Sequence, residues 1–297
     1  MTGAEQGFLL LTQSLGDPLI KPLSPAQFRE LSRLARLMAK PEGDRQLQAE
    51  DLVAVGCNLA IARQVISLLS REEALAWYLD KAKKAGCVPV TCFSGAYPAR
   101  LDQTLGADAP AVLWAKGDLS LLSKPSISLV GSRELQPENR RFAAQIGAVA
   151  AELGLVLVSG NARGADRTAQ ESCLAAGGSV ICVVADQLDK HILRDRMLYI
   201  SEDGFQAEFS SYRALRRNRI IHSLSEKTVV AQCTFEKGGT WDGTVKNLRQ
   251  GWSRVYCFQD GSSAAKALFE LGATMIPDAS AEVLLADLPE QLQLDKI

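Results

Sequence analysis

Histidine is scarce in this chain, and its scarcity limits the chemistry that the sequence can support. The 297 residues contain only two histidines, His191 and His222, which lie far apart and have no serine or cysteine at the spacing of a catalytic pair. Acid–base sites and metal sites are commonly built around histidine. We therefore expect no catalytic residues and no metal site, and we interpret both histidines as structural.

Paired cysteines are missing as well. The seven cysteines are an odd number without a C-x-x-C motif, and several lie in apolar runs such as VICVVA. This pattern is typical of buried free thiols in a reducing compartment, not of a disulfide framework or a zinc site. The start of the chain has an acidic residue and no basic stretch before its short apolar run, so it does not resemble a signal peptide. We expect a cytoplasmic protein.

The sequence also lacks an excess of either charge, and it has no hydrophobic run of membrane-spanning length. Lys and Arg number 33 against 34 Asp and Glu, which gives a net charge of -1. This balance excludes a uniformly basic coat for nucleic acid, but it allows a local basic groove on an otherwise acidic body. No contact with a membrane is expected.

What the sequence does contain is a strand–helix–strand unit from Ser126 to Asp166. Apolar runs predict two buried strands, and between them Phe142, Ile146 and Val149 recur at the spacing of one helical face. Each strand ends in a glycine turn with an arginine, in the segments Gly131-Ser132-Arg133 and Ser159-Gly160-Asn161-Ala162-Arg163-Gly164. Such turns commonly bind phosphate, because the backbone can approach an anion there and exposed N–H groups face it. Ordinary tight turns with solvated arginines are the alternative.

Neither turn has the G-x-G-x-x-G fingerprint of a dinucleotide site. No acidic residue ends the second strand, where it would bind a ribose hydroxyl. We therefore expect no dinucleotide and no other cofactor.

Strands and helices continue to alternate after this unit, which predicts an α/β fold with a doubly wound, mostly parallel sheet. Ligands are expected at the carboxyl ends of its strands. Before the unit, Ser24 and Pro25 begin a helical region, and Ser70 is expected to cap its last helix. We predict a small helical N-terminal domain with lead-in strands over residues 1–118. Residues 119–297 are predicted to form the α/β domain, with a short acidic helix after residue 277.

A run of arginines is the third component of the predicted site. Arg213, Arg216, Arg217 and Arg219 fall within seven residues that also contain Asn218. Charge runs commonly form a solvated face. Here no acid is interleaved, and the fold brings the run to the edge that carries the two glycine turns. Guanidinium groups around exposed N–H groups predict a site for several phosphates.

Three segments resemble the signature motifs of the DprA/Smf family, whose common forms are VGSR, SGxARGxD and RRNRIIxxLS. They are VGSR at 130–133, SGNARGAD at 159–166 and RRNRIIHSLS at 216–225, in the same order. The segments YPARL at 97–101 and APAVLWAKGD at 109–118 also resemble the family's lead-in. The resemblance covers roughly residues 50–260, so chance matching is not expected.

The resemblance implies a Rossmann-like fold with a helical N-terminal domain, binding of single-stranded DNA, a homodimer, and transfer of the strand to a RecA-type recombinase in natural transformation. It implies that Arg133, Arg163, Arg217 and Arg219 contact the DNA backbone. Asp166 is expected to order its loop by accepting hydrogen bonds. The full predicted set for DNA and phosphate is Gly131, Ser132, Arg133, Ser159, Gly160, Arg163, Gly164, Arg216, Arg217, Asn218 and Arg219.

The sequence departs from the family pattern after the third motif. The family's Val-Val-Glu-Ala strand is here Val229-Val230-Ala231-Gln232, and its Ser-Gly-Ser-Leu-Ile-Thr-Ala turn is Lys237-Gly-Gly-Thr-Trp-Asp-Gly243. A specialised relative in a mobile-element or defence setting is therefore open, and so is a nucleotide-sensing module. The turn also faintly resembles that of LOG-type nucleoside-monophosphate phosphoribohydrolases. It lacks their glutamate, which would stabilise a ribosyl cation, so a non-enzymatic protein is favoured.

Overall fold

The computed structural model describes residues 1–37 and 45–285. The helices are α1 (Gly3–Thr12), α2 (Pro25–Ala35), α3 (Ala49–Ala54), α4 (Leu59–Leu69), α5 (Glu72–Lys84), α6 (Ala99–Leu105), α7 (Pro137–Glu152), α8 (Ala165–Ala175), α9 (Ser211–Leu224), α10 (Gly238–Gln250), α11 (Ser263–Glu270) and α12 (Ala281–Leu285). The strands are β1 (Val88–Thr91), β2 (Val112–Gly117), β3 (Ser126–Val130), β4 (Val156–Ser159), β5 (Ser179–Val183), β6 (Met197–Ser201), β7 (Lys227–Val230), β8 (Arg254–Phe258) and β9 (Thr274–Ile276). Within the described ranges, no helix is long and apolar enough to cross a membrane.

The strands form a single sheet in the order β1-β2-β6-β5-β4-β3-β7-β8-β9. The seven strands from β6 to β9 are parallel, whereas β1 and β2 join one edge in antiparallel pairing. The chain moves outward from β3 through β4, β5 and β6, then returns along α9 to begin the other half at β7. This confirms the predicted α/β, doubly wound, mostly parallel sheet.

The direction of the winding changes between β3 and β7, which pair side by side with Leu129 next to Val229. In doubly wound sheets a crevice opens beyond the carboxyl ends of the strands at this point. The turn after β3 and the first residues of α10 lie on its two sides. The topology therefore places the first glycine turn in the position where such folds bind ligands.

Both faces of the sheet are covered by helices. Side chains on successive strand residues alternate between the faces, so Leu157 packs in the cluster that contains Phe142 and Ile146 of α7, while Val158 packs with Ile220 of α9. All five are at most 2% exposed. Burial of each such side chain stabilises the fold by about 1.5–3 kcal/mol. The turns at the strand ends therefore rest on a rigid support.

The N-terminal helices divide between two cores. Helices α2 to α4 enclose a small apolar cluster of their own, which includes Leu31, Leu52 and Val65. Helices α1 and α5 instead pack on the sheet, where the Tyr78 ring lies 5.3 Å from the ring of Trp114 in β2. Because β2 pairs with β6, the sheet itself runs across residue 118. The division of the chain at residue 118 stays a prediction.

The seven cysteines all lie in described residues and are free thiols. Six are buried, as the sequence predicted, but Cys92 is exposed because it follows the end of β1 in a surface turn. The short helix predicted after residue 277 corresponds to α12, and residues 286–297 lie outside the described part of the chain.

Candidate functional site

The turns that follow β3 and β4 lie against each other. The N–H of Ala165 donates to the carbonyl oxygen of Ser132 at 3.1 Å. Gly164 has φ +89°, and a Cβ there would lie 2.4 Å from the carbonyl oxygens of Ser132 and Arg133. Only glycine fits both this backbone angle and this close approach. The two turns thus form one ridge at the carboxyl edge of the sheet, which we call the glycine ridge (residues 131–133 and 160–164).

Asp166 holds the second half of the glycine ridge in place. Its Oδ2 accepts hydrogen bonds from the N–H groups of Gly160 at 3.0 Å and Ala162 at 3.1 Å. Between them Asn161 has a left-handed φ of +58°, so the loop makes a sharp bend. Burial raises the pKa of the Asp166 carboxyl group, while the Arg217 guanidinium and the two N–H groups oppose that rise.

Arg217 is buried beneath the second turn, with only 8% of the residue exposed. Its Nη1 donates to the carbonyl oxygen of Val183 at 2.7 Å, and its Nε has no partner in the described residues. A Cβ on Gly160 would lie 1.8 Å from Nη1, so the guanidinium occupies the space that a larger residue at 160 would need. Burial lowers the pKa of this guanidinium, and Asp166 opposes that effect. Asp186 opposes it as well, so two acids already balance part of this buried charge.

Arg133 and Arg163 stand at the surface, one on each turn. The Arg163 side chain is 73% exposed, and its 3.3 Å ion pair joins it to Glu134, which is 90% exposed. An ion pair between two such groups contributes about 0–1 kcal/mol, so it leaves Arg163 free to exchange partners. The ridge therefore presents two exposed positive charges above the buried charge of Arg217.

Arg216 and Arg219 are directed away from the glycine ridge, contrary to the predicted cluster. Both pair with the Glu202 carboxylate at 2.6 Å, and the Glu202 side chain is only 2% exposed. Arg219 also donates from Nε to the carbonyl oxygen of Asp108 at 3.2 Å. On α9, Arg217 faces one way and these two arginines the other. Glu202 was not predicted to take part, although an acid directly after a buried strand was a signal for a partner of the arginine run.

The side chains of two other predicted residues, Ser159 and Asn218, form hydrogen bonds within the protein. Ser159 is fully buried, and its Oγ accepts a hydrogen bond from Gln170 Nε2 at 2.5 Å. Its side chain is therefore directed away from any ligand on the ridge. Asn218 donates from Nδ2 to the carbonyl oxygen of Gly239 at 3.0 Å, which ties α9 to the first turn of α10.

Two cavities flank the glycine ridge. The inner cavity, of about 470 Å³, lies between the first turn and the start of α10, and Ser132, Asn218 and Gly239 line it. The outer cavity, of about 490 Å³, is lined by Gly160, Arg163 and Asp186. The two share the lining residues Arg133, Ala162, Phe209, Ala214 and Arg217. They thus form one continuous surface that contains most of the predicted site.

Two exposed apolar side chains belong to this surface and were not predicted. Phe209 is 56% exposed and Leu215 49%. Phe209 and Leu215 line the inner cavity. Exposed aromatic rings beside phosphate-binding turns are suited to stack on nucleic-acid bases. Phe209 lies just before α9, and its proximity in sequence to the arginine run was a usable signal.

His222 lies at the floor of the inner cavity. Its Nδ1 is 3.2 Å from both Thr228 Oγ1 and Asn247 Nδ2, inside a buried polar network. Burial lowers the pKa of this imidazole to about 3, and the charge of Arg217 acts in the same direction. His222 is therefore neutral at physiological pH.

Comparison with known proteins assigns the family. A family model described as DNA recombination-mediator protein A matches residues 89–287, which is more than half of the chain. The chain belongs to this family. The predicted membership of the DprA/Smf family is thereby confirmed.

Curated members of the family show the same relationship. DNA processing protein DprA of Bacillus subtilis is 32% identical over 201 residues, which are 62% of this chain and 66% of that protein. DprA of Streptococcus pneumoniae is 31% identical over 182 residues, which are 57% of this chain and 64% of that protein. The chain thus spans just under two thirds of the length of these relatives.

Solved structures of DprA proteins share the fold. The X-ray structure of the Streptococcus pneumoniae protein matches with a TM-score of 0.71 and 22% identity, over 93% of this chain and 96% of that one. DNA processing protein A of Helicobacter pylori, described for its unique single-stranded DNA binding mode, matches with a TM-score of 0.58 and 23% identity. That match covers 68% of this chain and 97% of the other.

Proposed function

We propose that this protein binds single-stranded DNA on the glycine ridge and acts in DNA processing and recombination. The observation that carries the proposal is the arrangement of three arginines around the two interlocked turns, with Arg133 and Arg163 at the surface and Arg217 beneath them. The Helicobacter pylori protein, which shares the fold, is described as binding single-stranded DNA. Family membership supports the same role here.

The ridge matches the chemistry of a single strand. Phosphates are bound by mobile arginines and by backbone N–H groups, and both contacts are independent of base sequence. The exposed ring of Phe209 and the side chain of Leu215, both at the inner cavity, offer apolar faces against which unpaired bases can lie. A double helix keeps its bases stacked inside, so it cannot use those faces. Single strands should therefore bind better than duplexes.

We propose further that the protein is not an enzyme. The acids beside the inner cavity are Asp166, whose carboxylate holds the loop, and Asp242 on the surface of α10. His222, the histidine at that cavity, is neutral and is directed through Nδ1 into the buried network. Neither arrangement provides a nucleophile with an adjacent general base. The expected result is that nucleoside monophosphates incubated with the protein release no base.

Family membership also supports three finer proposals. The protein is expected to act as a homodimer, to work in the cytoplasm in keeping with its free thiols, and to pass the bound strand to a RecA-type recombinase. Light scattering of the purified protein tests the first of these. A measurement of recombinase loading onto a protein-coated strand tests the last.

Binding to oligonucleotides of increasing length tests the central proposal. Affinity for labelled oligo-dT should rise with length up to the number of nucleotides that the ridge contacts, then level off. Unlabelled duplex of the same length should compete poorly. Equal competition by duplex, or affinity that does not depend on length, would contradict strand binding.

A further inference from the structure

The chain between β5 and β6 carries a histidine–aspartate pair beside the glycine ridge. His191 Nε2 lies 2.8 Å from Asp186 Oδ1, and the His191 side chain is only 16% exposed. The imidazole ring stacks on the ring of Tyr199 in β6, with 4.7 Å between the two centroids and 17° between the two planes. The stacking and the hydrogen bond together fix the imidazole next to the carboxylate.

Asp186 lines the outer cavity together with Arg133, Arg163 and Arg217. The hydrogen bond from His191 lowers the pKa of the Asp186 carboxyl group, and the charge of Arg217 acts in the same direction. This carboxylate is therefore ionised at neutral pH. Its negative charge lies on the surface where the proposed function places the phosphates of a strand, and like charges repel each other.

On its other side, the pair borders a third cavity of about 470 Å³, which His191 and Tyr199 line. The other charged lining residues of that cavity are Arg167, Glu171, Lys190 and Arg194. Burial raises the pKa of the Tyr199 phenol, so that ring stays neutral at physiological pH. Among the side-chain types gathered around the pair, imidazole is the one that ordinarily changes its charge between about pH 5 and 8.

The total charge of the pair depends on the imidazole. With a neutral imidazole, the pair carries the single negative charge of Asp186. With a protonated imidazole, the two groups form an ion pair whose total charge is zero. Phosphates nearby favour the second state. Because the coupling between two bound ligands is reciprocal, uptake of a proton should then strengthen the binding of a strand.

We propose that the Asp186–His191 pair is a pH-sensitive switch, which strengthens the binding of single strands to the glycine ridge as the pH falls from about 8 to about 5.5. This inference rests on the proposed function, because strand binding is the property that the pair controls. Removal of one charge at about 8 Å from a phosphate, with an effective dielectric constant of about 60, changes affinity by about threefold.

Anisotropy with labelled oligo-dT at pH 8 and pH 5.5, at one low ionic strength, measures the effect. Thymine bases do not titrate between these values. Wild type should bind about threefold more tightly at the lower pH. His191→Gln keeps an N–H group for Asp186 but does not titrate, so it should bind equally at both. Asp186→Asn, which lacks the negative charge, should bind more tightly than wild type at pH 8.

His222→Gln is the matched control, because the chain contains only these two histidines. Burial lowers the pKa of His222 to about 3, so it stays neutral at both pH values. Whatever the affinity of His222→Gln, the ratio between the two pH values should match that of wild type. Asp166, whose pKa is raised by burial beside Arg217, is present in all these variants. Any contribution from its titration therefore persists in His191→Gln.

Calorimetry in two buffers of different ionisation enthalpy, near pH 6.5, supplies a second readout. Wild type should take up protons when it binds oligo-dT, and His191→Gln should take up fewer. Equal affinity of wild type at both pH values would overturn the switch, and so would an unchanged pH dependence in His191→Gln. Either result would leave strand binding itself intact. If oligo-dT does not bind at either pH, the proposed function is refuted, and the switch with it.

Discussion

At the scale of single residues, Arg217 and Gly160 depend on each other. A Cβ at position 160 would lie 1.8 Å from Arg217 Nη1 and 2.3 Å from Nη2. The substitution Gly160→Ala should therefore displace the guanidinium, lower the free energy of unfolding by about 1–3 kcal/mol, and weaken single-stranded DNA binding. Urea unfolding and anisotropy measure the two effects.

Gly7→Ala is the control for this substitution. Gly7 lies in α1 with open space around its Cα, so alanine should leave DNA affinity unchanged and stabilise the helix slightly. If Gly160→Ala had the same stability and DNA affinity as wild type, the Arg217 guanidinium would have another position of equal energy. Its position beneath the ridge would then not be needed for DNA binding.

His222 leads to a prediction about pH. Burial lowers its pKa from 6.5 to about 3, so the unfolded chain binds a proton in this range that the folded chain does not. The free energy of unfolding should then fall as pH decreases from 6.5 toward 3, by up to about 1.4 kcal/mol per pH unit from this group. In His222→Gln that contribution is absent, so the decline measured by urea unfolding between pH 6 and 4 should be shallower. Parallel declines in the two proteins would contradict a buried neutral imidazole.

At the scale of elements, the arginines of α9 make two different sets of contacts. Arg217 and Asn218 face the cavities, whereas Arg216 and Arg219 pair with Glu202 and attach the helix to the end of β6. Helical periodicity places residues on faces, but it does not show which face meets an acid supplied by another element. This is why the sequence alone could not show that Arg216 and Arg219 are directed away from Arg217.

The substitution Glu202→Gln tests this division. It removes the buried charge between two guanidinium groups and should lower the free energy of unfolding by about 1–3 kcal/mol, with the smaller share from Arg216 because that side chain is 39% exposed. DNA affinity should not fall. Glu134→Gln, at an acid whose side chain is 90% exposed, should change stability by less than about 0.5 kcal/mol. A larger loss of stability at Glu134 than at Glu202 would contradict the assignment.

Local sequence signals predicted some elements well and others poorly. The apolar spacing of Phe142 and Ile146, with Pro137 in the first turn, predicted α7 because that helix packs one face on the sheet. Ser70 was expected to cap α5, but the N-cap is Arg71, because Ser70 instead ends α4. Helix α1 was not predicted, since its run of apolar residues shows little contrast between faces; its capping box of Thr2 and Glu5 was the available signal.

The sequence indicates the two glycine turns of the candidate site, but it does not indicate the inner cavity beside them. The glycines and arginines at 131–133 and 160–164 are sequence-local, and parallel strands necessarily bring their carboxyl ends to one edge. The inner cavity instead arises from the approach of α10 to that edge, a long-range contact between Thr240 and Gly131. No local pattern shows that contact, so the turn at residues 237–243, although it was compared with the turn of another family, was not included in the predicted site.

At the scale of the whole molecule, the sheet joins the N-terminal region to the rest. Strand β2 pairs with β6, and the ring of Trp114 lies 5.4 Å from that of Phe205. A fragment of residues 119–297 loses these contacts, whereas a fragment of residues 86–297 keeps β1 and β2. The shorter fragment should therefore unfold at lower urea concentration. Equal midpoints would show that residue 118 is a true domain boundary.

The central claim is that the arginines of the glycine ridge neutralise phosphates of a single strand. For single strands, the slope of log affinity against log salt changes by about 0.7 for each phosphate contact. The most direct measurement compares this slope in wild type, in Arg133→Ala, and in Arg249→Ala, which removes an exposed charge at the far end of α10. We predict a slope smaller by about 0.7 for Arg133→Ala and an unchanged slope for Arg249→Ala. Equal slopes in all three proteins would contradict DNA binding by the ridge.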